Sequence, residues 1–170
     1  MNRTAPQATS AFKGRRVRFT HTQTFTASID AVFPLLCPVR EYDYLPAWEC
    51  EVVYLASGYA ETGGVFLTNN PQEGGRDVWV IARYAPNETI QFVRTNPLRT
   101  MIYNVEARSD EPGTVRLFWE QIITGLTEEG NGLVESLRET DFVEMMSAMQ
   151  ELLQHYLDTG KMMSHAPESR

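Results

Sequence analysis

Chemistry in this chain would have to come from a few polar side chains set among aromatics. In RVRFTHTQTFT, residues 16–26, His21 and Gln23 alternate with Val17, Phe19 and Phe25, so an extended segment would carry all five on one side. A histidine titrating near neutrality could act as general acid or base on an enolisable substrate; the competing role is a hydrogen-bonded or strand-end histidine. Arg83 and Arg94 each sit in an alternating run. An inward guanidinium there could hold a ligand carboxylate or phenolate, and surface pairing with the many acids is the plainer alternative.

The stretch CPVREYDYLPAWEC, residues 37–50, gathers both cysteines of the chain with aromatics and charges. Without an extracellular signal beside them, two thiols do not make a disulfide framework, and they read as free and buried. Cys37 and Cys50 do not complete a zinc tetrad, and His21, His155 and His165 lack the short spacing of a preorganised site, so no metal is expected. There is no G-x-S-x-G elbow and no P-loop, and nothing in the sequence calls for a cofactor.

Positioning such groups needs a folded domain, and 170 residues with 42% hydrophobic and 11% aromatic content suffice for one. A net charge of -7 opposes affinity for nucleic acid and anionic membranes, although Lys13, Arg15, Arg16 and Arg18 form a local basic stretch. The chain shows no signal-peptide core and no run of about 18 apolar residues, so the expectation is a soluble cytoplasmic protein without membrane insertion. Oligomeric state stays open, a homodimer included.

Residues 1–14 read as a flexible lead-in, 15–160 as the domain, and 161–170 as a tail. Within the domain the first strand is followed by a short helix from Ser28, stopping near Pro38, and a second helical turn from Val39 to Leu45. Strands are then expected from Trp48, Val65, Asp77, Thr89, Met101 and Thr114, the last being the longest. Short turns between them favour an antiparallel meander. A three- and four-residue apolar spacing from Leu137 to Leu157 predicts one long amphipathic helix stopped by Gly160, and Gly130 and Gly132 read as the turn leading into it.

This order, with the local stretches FTHTQTFTASIDAVFPLLC, PNETIQFVRT and TGLTEEGN, resembles the START-like (SRPBCC) superfamily, whose members include lipid-transfer domains, pollen allergens and polyketide cyclases. The resemblance covers about residues 16–160. It implies an α+β helix-grip fold: a seven-stranded antiparallel sheet curled around a long C-terminal helix, with two short helices between strands 1 and 2. It also implies a cavity for a small apolar or aromatic ligand. On that basis the expected ligand-binding residues are Phe19, His21, Gln23, Trp48, Trp79, Phe92, Tyr103, Trp119, Gln121, Met145 and Met149. Pairing of the first and last strands would bring Gln121 to His21 and Gln23. Which face of residues 77–84 points inward is not decided by the sequence.

Binding or transport of that ligand is the expected function. One alternative is a cyclase- or aromatase-like enzyme using polar cavity groups around His21, and another is an interaction module like the heat-shock ATPase activator homologues. The 37–50 stretch reads as a brace, with Tyr42, Tyr44 and Leu45 packed on the end of the long helix. Glu41 and Asp43 then face solvent or cap, and Trp48 and Cys50 begin an inner strand face.

Overall fold

A computed structural model describes residues 11–164. The expected tails at 1–14 and 161–170 lie largely outside them. Strand β1 (Arg16–Thr26) runs into a single turn of helix, α1 (Ile29–Val32), which tightens into a 3-10 turn at Phe33–Leu36 where Pro34 enters. Ser28 stands at the N-cap as its residue type suggests, but its side chain makes no cap hydrogen bond. A second 3-10 turn covers Glu41–Asp43.

The meander follows as β2 (Glu51–Tyr54), β3 (Val65–Asn70), β4 (Gly75–Ala85), β5 (Thr89–Thr95), β6 (Arg99–Glu111) and β7 (Thr114–Gly125). The sheet order is β1-β7-β6-β5-β4-β3-β2, with every pairing antiparallel. β6, with 13 residues, is longer than β7, with 12. β2 starts later than the alternation suggested, so Trp48 and Cys50 precede it.

The helical end also differs from the sequence reading. Gly130 and Gly132, taken for a turn, lie inside a separate helix α2 (Glu128–Ser136), ahead of the long α3 (Glu139–Thr159). Thr127 caps α2 through its hydroxyl, which accepts from the Gly130 amide at 3.0 Å. Two glycines hid this helix by breaking the apolar period, yet one of them is what docks it. A side chain on Gly130 would collide with the backbone carbonyl of Leu98, whereas one on Gly132 would meet open space. Among the described residues no helix is long and apolar enough to cross a membrane.

Cross-strand register lines up three zones on the inner face. At one end Phe25, Val115, Leu117, Ile90 and Val105 are fully buried with Val32 and Phe33 of the α1 segment, a close-packed plug. The middle carries Trp79, Phe92, Tyr103 and Trp119. At the far end lie Asp77, Arg94 and Arg99, all buried.

Helix α3 is fixed along the β1 edge by three glutamines. Gln23 Nε2 donates to the Met146 carbonyl at 2.7 Å, Gln150 donates to the Thr24 carbonyl at 3.0 Å, and Gln154 accepts from the Thr26 amide at 2.9 Å.

Gly130→Ala should destabilise the protein by about 1–3 kcal/mol, because the Leu98 backbone has nowhere to go. Gly132→Ala should stabilise it by up to about 1 kcal/mol through helix propensity alone. Urea unfolding of the two variants beside wild type checks the opposite signs.

Candidate functional site

With α3 held at the β1 edge and the short turns filling one end, the central aromatic zone keeps a cavity of about 390 Å³. Its size and lining suit a small organic molecule. All three tryptophans of the chain, Trp48, Trp79 and Trp119, line it, together with Phe66, Phe92 and Tyr103 from the sheet. α3 contributes Met145, Met146, Met149 and Leu152, with Met145 exposed at the rim. Unbranched thioethers adapt to irregular shapes, and the aromatic wall opposite is stiffer. Trp79 lies stacked between Phe66 (5.2 Å between ring centres) and Tyr103 (5.3 Å), with Phe92 edge-on at 5.9 Å.

The polar end of the cavity is an ion network. Asp77 is wholly buried and accepts from Arg94 Nε at 2.8 Å, Arg94 Nη2 at 2.5 Å, Arg99 Nη1 at 3.1 Å and Asn96 Nδ2 at 2.9 Å. Glu73 spans the same two arginines, at 3.0 Å to Arg94 and 2.7 Å to Arg99. Two guanidinium groups thus meet two carboxylates, so the cluster is neutral and its desolvation is offset by short charge-assisted hydrogen bonds. Arg94 lines the cavity over the Trp79 ring, 5.0 Å from its centre, and Arg83 is exposed. The pairing that the sequence placed on the surface is therefore internal for Arg94.

Glu41 corrects the sequence reading most. It neither caps nor faces away: the 3-10 turn aims it into the cavity wall beside Leu45 and Trp48. Loss of hydration there pushes its carboxyl up to about 8. No hydrogen bond or ion pair to its side chain is found among the described residues, whereas Asp43 is paired with Arg40 at 2.6 Å. Burial raises the Cys37 and Cys50 thiols and the Tyr44 phenol, and the Glu41 charge adds to all three.

The surrounding turn is rigidly tied. Tyr42 donates to the Cys50 carbonyl at 3.0 Å and accepts its amide at 2.9 Å; Trp48 Nε1 donates to the Pro38 carbonyl at 2.8 Å. Tyr44 packs near Tyr156 of α3 (6.4 Å between ring centres) as expected, but Tyr42 is exposed and Leu45 lines the cavity.

Of the residues singled out in the sequence, Trp48, Trp79, Phe92, Tyr103, Trp119, Met145 and Met149 come together around this cavity. Phe19 and Gln121 line a smaller adjoining one of about 160 Å³. Gln23 stands behind the wall, accepting from Trp119 Nε1 at 2.7 Å while it holds α3. His21 pairs across from Trp119 in register but lines neither cavity; it borders a polar groove with Arg18 and Glu120, which are already paired at 2.5 Å. Cys50 does not line the cavity either. Glu41 and Asp77 were missed.

No family model and no curated protein matches the sequence. Solved structures do. Norcoclaurine synthase from Thalictrum flavum is 12% identical over 95% of this chain and 97% of its own, with a TM-score of 0.65. Ara h 8.0201 is 10% identical, covering 85% of this chain and 99% of its own at a TM-score of 0.59. DynU16, from the dynemicin biosynthetic locus, is 13% identical over 85% of this chain and 48% of its own, at a TM-score of 0.56. The chain has the START-like helix-grip fold. Its seven-stranded sheet and long terminal helix are the shared frame, and the side chains inside are this protein's own.

Asp77→Ala should cost about 3–5 kcal/mol, since it strands two buried arginines. Arg83→Ala, on the exposed side of β4, should change stability by less than about 0.5 kcal/mol. Chemical denaturation of both variants makes the comparison.

Proposed function

We propose that the protein binds one small aromatic or apolar molecule in the 390 Å³ cavity, as a carrier or sensor of that molecule. The observation that carries this reading is the wall itself: three tryptophans and three methionines converge on one hollow whose arginine is already neutralised. Large aromatic surfaces left facing a void lose packing contacts that a ligand would restore. The norcoclaurine synthase structure in complex with dopamine and hydroxybenzaldehyde supports the reading by analogy, because there the same frame holds small aromatic molecules.

A cyclase-like enzyme is the second reading, and Glu41 is the observation in its favour. A carboxyl that titrates near 8 on an apolar wall is suited to proton transfer. On this reading the reactive group is Glu41 and no longer His21, which lies outside the cavity. An interaction module of the heat-shock ATPase activator kind fits less well, since it calls for a collapsed interior.

Titration with prodan, a neutral naphthalene dye whose emission shifts to the blue in apolar surroundings, tests the binding reading. Met149→Trp, which fills the cavity from α3, should weaken dye binding at least about tenfold, equivalent to one lost apolar contact surface of roughly 1.4 kcal/mol or more. His21→Ala should leave it within about twofold. Equal binding by wild type and Met149→Trp would place the dye elsewhere and remove the cavity from the account.

A further inference from the structure

The walls of the cavity do not balance in charge. Arg94 is matched: with Arg99 it faces Asp77 and Glu73, two cations against two anions. Glu41, which also lines the cavity, has no cation and no hydrogen-bond donor among the described residues. An isolated carboxylate on an apolar surface is unfavourable, so in the empty cavity the group keeps its proton to about pH 8. The half-buried side chain becomes an anion at neutral pH when a cation brought into the cavity offsets its lost hydration.

We propose that the cavity selects aromatic or apolar molecules bearing a basic amine, whose ammonium group takes Glu41 as its counter-ion. The proposal rests on the binding reading above and adds the ligand's charge. The ammonium would donate to the carboxylate, the shortest and strongest class of hydrogen bond open to it. Its hydrocarbon or ring portion would lie against Trp48, Trp119 and the methionines, and aromatic walls tolerate a nearby cation because of their negative ring faces. A carboxylate ligand would meet the opposite conditions. It would find Arg94 already occupied by Asp77 and Glu73, and wherever Glu41 is ionised it would face a like charge.

The groups that face Glu41 do not supply an alternative cation. On its own segment these are Cys37, Tyr44 and Cys50, each held in its neutral form by burial, and the Arg40–Asp43 pair, to which Tyr156 of α3 donates at 3.5 Å. From β5 and β6 they are the neutralised Arg94 and Tyr103, whose hydroxyl lies 3.4 Å from Arg94 Nη1. The α3 wall, Met145, Met146, Ala148, Met149 and Leu152, has no titratable group. Arg138 and Asp141 line only the smaller adjoining cavity.

Binding an ammonium then expels the Glu41 proton, so affinity for the amine rises with pH through the free carboxyl's titration and falls again only where the ligand's own ammonium loses its proton. With that titration near 8, the ionised fraction, and with it the affinity, increases about fivefold between pH 7 and pH 8.

Isothermal titration of the full chain with three matched probes tests this: 2-naphthylmethylamine, 2-naphthalenemethanol and 2-naphthoate, against wild type and Glu41→Gln. At pH 8 the amine should bind wild type about tenfold or more tighter than the alcohol, with the carboxylate weakest. Glu41→Gln should bring the amine down to the alcohol's affinity and remove the rise between pH 7 and pH 8. A circular dichroism spectrum of Glu41→Gln matching wild type reports that the variant is folded. Equal affinity of wild type for amine and alcohol, or an amine affinity untouched by Glu41→Gln, overturns the amine proposal and leaves cavity binding standing. Failure of all three probes to bind removes the binding reading and the proposal with it.

Discussion

The buried carboxylate of Asp77 is the constraint on which the rest of the structure hangs. It draws Arg94 of β5, Arg99 of β6 and Asn96 of the turn between them to the start of β4. Asn96 in turn folds the β5–β6 turn by accepting from the Leu98 and Arg99 amides at 2.9 and 3.0 Å. That places the Leu98 carbonyl to accept from Leu126 and to lie against Gly130, which seats α2 and so sets where α3 begins. A desolvated charge is costly unless every lone pair is used, and here the requirement to use them all fixes four elements at once.

The cavity follows from how α3 is attached. Polar side chains tie the helix to β1 by Gln23, Gln150 and Gln154, with apolar packing at the Phe25 end. Between these anchors the helix offers methionines to aromatics that already stack on one another, as Trp79 does between Phe66 and Tyr103. The space is kept because the aromatic wall is braced from behind, by Gln23 on Trp119 and by Thr68 on Trp79 at 2.9 Å. With Arg94 neutralised within the network, Glu41 is the cavity-lining carboxyl that has no cation among the described residues.

The strands were legible because alternation survives when one face is buried and the other wet, as in β1 and β5–β7. The inner aromatics followed from the same pattern. β4 was ambiguous, since its outer positions are also apolar: Val78 and Val80 oppose Trp79 and Ile81, and a register shift follows between Ile81 and Arg83. Arg94 looked like a surface residue because its partner, Asp77, is seventeen positions away on another strand. α2 was hidden by two glycines, one of which, Gly130, allows the close approach to Leu98. Glu41 was illegible for a further reason. Its role depends on the direction of one 3-10 turn, for which an acidic residue between aromatics carries no signal. His21 shows the reverse: alternation put it on the inner side, yet its cross-strand partner Trp119 lines the cavity and His21 does not.

Native mass spectrometry of the protein isolated from its own cells tests the central claim most directly. The account predicts a complex carrying one small molecule per chain, released on denaturation and absent from a Met149→Trp variant prepared in the same way. Repeated recovery of the bare chain mass, with the cavity side chains unaltered and no adduct in either preparation, would contradict it.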